Sequence, residues 1–190
     1  MSHMASAQTL INESLKMQSY GAHGVILMDS AGAYLPIDVS TKISALVDSL
    51  SIPVGFHAHN NLGLAIANSI TAIESGATII DGSSKWFGAG SGNSQLEVLI
   101  AILSKLNYQT GINLYKLMDA ADLAERAFIK SLPTITSVSI VSGMSGVFSG
   151  FLKPVLRISK KYNEIQENKV KILNRLYTMQ QQIDELIANA

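Results

Sequence analysis

The chain has 190 residues, with 14 basic and 14 acidic side chains and no cysteine. A net charge of zero without a basic stripe argues against nucleic acid as a partner. The absence of cysteine excludes disulfides and thiolate metal sites, and it agrees with a reducing, cytoplasmic location. Hydrophobic residues make up 47% of the chain, yet no apolar run approaches the roughly 20 residues that span a bilayer. We therefore expect no membrane segment and a large buried core or partner surface.

Residues 1–6 lack the basic and apolar regions of a signal peptide and are typical of a cloning remnant, so we exclude them, and His3 with them, from the fold prediction. From residue 7 onward, segments with helical spacing alternate with short apolar runs. The run at residues 24–28 is continuous, which predicts a strand buried on both faces. The predicted order is a helix at 7–20, a strand at 24–28, a helix opened by Pro36 and Asp38, a strand at 53–59, a helix capped by Asn61, and a strand at 77–80 ending at Asp81.

A glycine-rich loop at residues 82–92 follows the last of these strands. Ser94 and Glu97 then have the spacing of a capping box, which predicts a helix that runs to Leu106. Asn113 is expected to cap another helix through Ala127. Residues 134–150 are rich in Ser, Val, Ile and Gly, and we predict a short strand or an irregular loop there.

Strands separated by helices predict βαβ units and a parallel sheet. The carboxyl ends of parallel strands meet at one edge, where ligands bind in such sheets. Five polar residues lie at or just after predicted strand ends: Asp29, Ser30, His57, His59 and Asp81. We therefore expect a functional site at this edge.

His57 and His59 are the most informative pair in the chain. Residues i and i+2 of a strand point to the same face, with Cα atoms roughly 6–7 Å apart. Two imidazoles at that separation can bind one cation. The alternative is a pair of half-exposed histidines at a strand end without a ligand, and the spacing leaves both open.

The chain from residue 152 to 190 has a different composition. Apolar residues recur at alternating spacings of four and three from Ile158 to Leu186, with one break at Lys169. This heptad pattern predicts a long helix. The helix either docks on its own domain or forms a coiled coil that sets the oligomeric state.

Several ordered motifs resemble the 4-hydroxy-2-oxovalerate aldolases, which belong to the metal-dependent carbon–carbon lyase superfamily that includes hydroxymethylglutaryl-CoA lyase. The resemblance covers roughly residues 7–163. The motifs are FHAHNNLGL at 56–64, ANS at 67–69, IDGS at 80–83, GAGSGN at 88–93, LEV at 96–98 and LYKLMDAA at 114–121.

The resemblance implies a (β/α)8 TIM barrel with a helical C-terminal extension, of which this chain holds about strands six to eight. It also implies retro-aldol cleavage of 4-hydroxy-2-oxoacids to pyruvate and an aldehyde, with Mn or another divalent cation, as in aromatic hydrocarbon catabolism. By resemblance, His57 and His59 are metal ligands. Ser30 and Asn93 are implied as contacts of the small 2-oxoacid substrate.

The chain departs from the family pattern in lacking the Arg-Asp pair and the following histidine of strand one. No catalytic residue is therefore assigned, and we expect the isolated chain to be inactive. On this basis we expect residues 7–107 to be a partial aldolase barrel. Another chain or further copies of this chain complete it, or the heptad tail takes part in a remodelled fold. Residues 108–151 are a helical region that resembles the family's communication region, which docks an acylating aldehyde dehydrogenase. The alternative is a non-catalytic, oligomerising scaffold derived from the aldolase.

Overall fold

The computed structural model describes residues 1–161 of the chain, and residues 159–161 by their backbone alone. The heptad prediction therefore lies almost wholly outside the described residues. The helices and strands are α1 (Ala7–Ser19), β1 (Val25–Asp29), α2 (Pro36–Ser49), β2 (Val54–Ala58), α3 (Ala65–Glu74), β3 (Ile79–Asp81), α4 (Leu96–Lys105), α5 (Leu114–Phe128), α6 (Ser137–Met144) and α7 (Leu152–Lys161). No helix in this part of the chain is long and apolar enough to cross a bilayer.

The three strands form one parallel sheet in the order β1-β2-β3. Helices α2 and α3 connect consecutive strands, so the predicted βαβ organisation is confirmed. The register aligns Met28 with His57 and His57 with Asp81. These three residues form one row across the sheet near the carboxyl ends of the strands.

The helices cover one face of the sheet, which we call the outer face. Leu27, Val54, Phe56 and Ala58 point to that face and pack with Ile43 of α2 in the main core. Burying side chains of this size stabilises the fold by roughly 1.5–3 kcal/mol each. The core therefore holds β2 between its two neighbouring strands and beneath α2 and α3.

The opposite, inner face of the sheet is open at β1. Ile26 is 44% exposed and Met28 is 47% exposed. The prediction that this strand is buried on both faces was wrong for the described chain. A continuous apolar run shows that both faces can pack, and here only the outer face has helices against it.

Two predicted helix starts were also wrong. Helix α3 begins after Leu64 rather than at Asn61, and the Asn60 side chain accepts a hydrogen bond from the Ala65 amide at 3.2 Å. Helix α4 does not begin with a capping box, because Glu97 accepts hydrogen bonds from the Lys85 amide and the Gln95 side chain, at 3.0 and 2.8 Å. The side chains of Asn61 and Glu97, which were predicted to cap these helices, instead make hydrogen bonds elsewhere in the fold.

Residues 134–150 contain a helix where a strand or loop was predicted. Thr136 accepts a hydrogen bond from the Ser139 amide, and the Ser139 hydroxyl accepts one from the Thr136 amide, so the pair caps α6. A Cβ at Gly143 would lie 2.7 Å from the Leu62 side chain. Close packing and the cap therefore stabilise a helix that the composition does not indicate. By contrast, the predicted cap at Asn113 is confirmed.

The first residues are packed against the domain, although they were excluded from the fold prediction. Ser2–Met4 forms a short 3-10 helix. The Tyr34 hydroxyl donates to the Ser2 hydroxyl at 2.9 Å, and Lys42 donates to the Ser2 carbonyl at 3.0 Å. The His3 ring contacts the Gly146 carbonyl at 2.7 Å.

Candidate metal and substrate site

His57 and His59 lie together on the inner face of β2 and just beyond it. Their rings are 4.9 Å apart between centroids and inclined by 66°. Each residue is only 8% exposed. The structure therefore brings the two predicted ligands to one place, as the alternation along the strand requires.

Each histidine ring is fixed through its Nδ1 atom. The His57 Nδ1 lies 2.9 Å from an Asp81 carboxylate oxygen, and the His59 Nδ1 lies 2.9 Å from the Asp29 carbonyl oxygen. A carbonyl or a carboxylate accepts a hydrogen bond, so Nδ1 carries the proton in both rings. In the neutral form of each ring the lone pair is then on Nε2, which is the arrangement of metal-binding histidines.

Burial at His59 favours the neutral imidazole. Desolvation lowers the pKa of His59, and the nearby His57 lowers it further, against the hydrogen bond to Asp29 and the charge of Asp81, which raise it. A neutral ring keeps the lone pair that a metal ion needs. The donor set of this site therefore suits a divalent cation.

Asn93 lies beside His59, where the two residues form an isolated antiparallel bridge. Its amide nitrogen donates to the Phe87 carbonyl at 3.2 Å. Its amide oxygen is buried and has no hydrogen-bond partner in the described residues. A buried acceptor without a partner is costly, and an amide oxygen is a suitable ligand for a hard cation.

The glycine-rich loop holds Asn93 in place. Gly88 lies so close to the Asn93 amide that a Cβ at this position would overlap it. Gly92 has φ +88 and lies directly against the Trp86 carbonyl. Lys85 and Trp86 themselves adopt left-handed conformations, with φ of 54° and 57°. Non-glycine residues in this region are uncommon and cluster at functional loops.

Asp29 ends β1 but directs its carboxylate away from the histidines. Its two oxygens accept hydrogen bonds from the Ala33 and Tyr34 amides, at 2.9 and 3.2 Å. Burial raises the pKa of this carboxyl to about 6, although those amide bonds lower it. Asp29 therefore orders the loop after β1 with its side chain and orients His59 with its backbone carbonyl.

Ser30 follows Asp29 in the turn after β1 and is half-buried. Asp29 pairs with Ala58, the residue between the two histidines. Ser30 therefore lies at the same edge of the sheet as His59. The structure shows this position without showing a contact between the Ser30 hydroxyl and either imidazole.

Asn61 is a site residue whose role the sequence analysis missed. Its amide nitrogen donates to the Ala31 carbonyl at 2.9 Å and to the Ser149 hydroxyl at 3.2 Å. Its oxygen accepts from the Ser91 amide at 3.0 Å. One fully buried side chain therefore ties together the loop after β1, the glycine-rich loop and the C-terminal helices. The Asn60-Asn61 pair in the FHAHNNLGL motif was the sequence feature that could have indicated this role.

Two family models match the chain, one described as HMGL-like over residues 1–124 and one described as a DmpG-like communication domain over residues 133–177. Among solved structures, the Bacillus subtilis HMG-CoA lyase matches with a TM-score of 0.63 at 30% identity, over 68% of this chain and 46% of that one. The carboxyl transferase domain of Rhizobium etli pyruvate carboxylase matches with a TM-score of 0.71 at 18% identity, over 90% of this chain and 29% of that one, which shows a shared fold.

The parallel α/β fold and the family match define the class: the chain belongs to the HMGL-like family. Within it, the chain is similar to proteins named 4-hydroxy-2-oxovalerate aldolase. It is 58% identical to the one from Pectobacterium atrosepticum, over 86% of this chain and 48% of that protein. It is 61% identical to the one from Spirochaeta aurantia, over 85% of this chain and 47% of that protein. The chain thus spans about half the length of these curated relatives.

The Asn61 hydrogen bonds make a prediction about stability. We expect Asn61→Ala to lower the free energy of unfolding by roughly 2–4 kcal/mol, because a buried polar group left without a partner costs about 1–3 kcal/mol and several are left here. Asn12→Ala, an exposed site in α1, is the control and should change it by less than about 0.5 kcal/mol. Urea unfolding measures both, and equal losses would contradict the role of Asn61.

Proposed function

We propose that this chain binds a divalent cation through His57 and His59 and is the metal-holding part of an aldolase that cleaves 4-hydroxy-2-oxoacids to pyruvate and an aldehyde. The observation that carries the proposal is the pair of neighbouring imidazoles whose Nδ1 atoms are both occupied by hydrogen bonds. Manganese is the cation we propose, since nitrogen and oxygen donors without thiolate suit it.

Asn93 and Ser30 are proposed to complete the binding of the cation and its 2-oxoacid substrate. The unpartnered Asn93 oxygen beside His59 supports this role. Ser30 offers a hydroxyl at the same edge of the sheet. A bound cation would supply Lewis-acid stabilisation of the negative charge that develops on the 2-oxoacid. The chain's own residues hold that cation, orient the two imidazoles and limit access of water to them.

The sheet is proposed to correspond to strands six to eight of a (β/α)8 barrel. In the described sheet β1 and β3 each pair on one side only, whereas a closed barrel has no edges. No cluster of three or more His, Asp or Glu side chains able to hold a metal is found in the part of the chain that the structure describes. We therefore propose that additional residues, from another chain or another copy, are needed for turnover.

Manganese binding tests the metal site directly. We expect His57→Ala and His59→Ala to weaken Mn²⁺ binding by roughly 100-fold or more, because each removes one of two nitrogen ligands. His23→Ala is the matched control, since this exposed histidine lies at the opposite end of β1. Electron paramagnetic resonance of free Mn²⁺ measures the affinities, and far-UV circular dichroism checks that each variant is folded. Unchanged affinity in both folded variants would refute the site.

Pyruvate release tests the reaction. We expect the isolated chain with Mn²⁺ and 4-hydroxy-2-oxopentanoate to form pyruvate no faster than metal alone, since losing one charge-stabilising group commonly lowers the rate by about 10²–10³. A lactate dehydrogenase-coupled assay measures it, with a full-length relative such as the Pectobacterium aldolase as positive control. Turnover at the rate of that relative would contradict the proposed need for further residues.

We also propose that α6, which lies both in the communication-like region predicted at residues 108–151 and in the segment matched at residues 133–177, binds an acylating aldehyde dehydrogenase. The communication-domain match supports this, as do exposed apolar side chains on α6, where Met144 is 76% exposed and Ile140, four residues earlier, is partly exposed. Residues four apart share one helix face.

A pull-down experiment tests this partner. Substituting both Ile140 and Met144 with Ser should weaken binding of a purified acylating aldehyde dehydrogenase by roughly tenfold or more, since buried apolar anchors dominate interfaces. Met17→Ser is the control, because this exposed methionine lies on α1, outside the matched segment. Equal binding by wild type and the double variant would contradict the docking surface.

A further inference from the structure

We infer that Asp81 is a positioning residue that sets the tautomer and orientation of His57 and thereby its strength as a metal ligand. The inference rests on the proposed function of the histidine pair. It concerns a residue that neither binds the cation nor contacts substrate in our proposal. Asp81 acts through its hydrogen bond to His57.

The sheet register places the two residues side by side. His57 of β2 pairs with Asp81 of β3, and both side chains point to the inner face. The carboxylate oxygen and the His57 Nδ1 are 2.9 Å apart. The His57 side chain is 10% exposed, whereas the Asp81 side chain is 52% exposed. The His57 ring is therefore held in a buried position, and the exposed Asp81 carboxylate contacts it from the solvent-facing side.

The contact determines which nitrogen of His57 is free. A carboxylate only accepts hydrogen bonds, so Nδ1 must carry the proton and Nε2 keeps the lone pair. In a metal-binding histidine, a carboxylate at the second nitrogen also raises the basicity of the first, and removing such a partner typically costs about 10–100-fold in metal affinity. The same consequences follow here for Nε2 of His57.

The two histidines differ in how they are held. The Nδ1 of His59 donates to the Asp29 backbone carbonyl, which is neutral and cannot be removed by changing the Asp29 side chain. The Nδ1 of His57 has a charged side chain as its partner. Substituting Asp81 should therefore weaken His57 as a metal ligand, whereas His59 keeps its own hydrogen bond and serves as an internal reference.

The first readout uses the metal-free protein. In ¹⁵N-labelled full chain, at a pH where both rings are neutral, long-range ¹H–¹⁵N correlations report the tautomer of each histidine. We expect Asp81→Ala to move His57 from the Nδ1-protonated form to a mixture in which Nε2–H is populated. Asp81→Asn should preserve the tautomer, because the asparagine oxygen can still accept. The tautomer of His59 should not change in either variant.

The second readout is Mn²⁺ affinity. We expect Asp81→Ala to weaken binding by about 10–100-fold and Asp81→Asn by less, because it keeps the hydrogen bond and loses the charge. Asp48→Ala is the control for net charge, since this exposed aspartate lies near the end of α2, away from the site. It should leave both readouts unchanged.

Three results would overturn the inference. One is an unchanged His57 tautomer in Asp81→Ala, and another is a Mn²⁺ affinity within twofold of wild type in that variant. The third is a loss in Asp81→Asn as large as that in His57→Ala, which would make Asp81 a ligand rather than a positioning residue. If wild-type protein binds no Mn²⁺, the proposed metal site fails, and the tautomer measurement alone decides whether Asp81 positions His57.

Discussion

The central position of β2 in a parallel sheet is the constraint on which the site depends. Hydrogen bonds on both edges fix its register, and the apolar core fixes which way each residue faces: Val54, Phe56 and Ala58 pack under the helices. His57, and His59 just beyond the strand, are then left on the inner face. A shift of one residue would exchange the two faces and bury the imidazoles in the apolar core. The stability of the core and the geometry of the site are therefore set by the same interaction.

Much of this arrangement could be predicted from the sequence because it follows from local patterns. The helical spacing of five apolar residues predicts α2: Val39, Ile43, Leu46, Val47 and Leu50. The structure confirms the helix, in which the first three are buried and the last two are partly buried. The alternation around His57 and His59 predicts that the pair shares a face. The order of helices and strands predicts a parallel sheet. In each case residues close in sequence carry the whole signal.

The missed features depend on contacts between distant residues. Asn61 is a residue type that often caps helices, but its buried amide bonds to Ala31 and Ser149, which lie 30 and 88 residues away along the chain. Glu97 likewise bonds to the backbone of Lys85 instead of capping its own helix. The helix α6 has a Ser-rich and Gly-rich sequence of low helix propensity, and its packing against Leu62 becomes visible only once the fold is known. The partner of His57 is 24 residues away, and the sheet register identifies it.

The open inner face bears on our proposal that this chain holds an ordered metal site and needs further residues for turnover. The residues that orient the imidazoles, Asp81 and the Asp29 backbone, come from the strands on either side of β2, so three strands suffice to build the histidine pair. Asn61, which also lies within the described residues, holds the loop after β1 and the glycine-rich loop together through hydrogen bonds. What three strands do not supply is cover for β1, because Ile26 and Met28 remain exposed on the same face although the two histidines are buried. Metal binding needs the oriented ligands alone, whereas catalysis also needs water excluded and charge stabilised from the far side. The two properties should therefore separate in this chain, with cation affinity retained where turnover is lost.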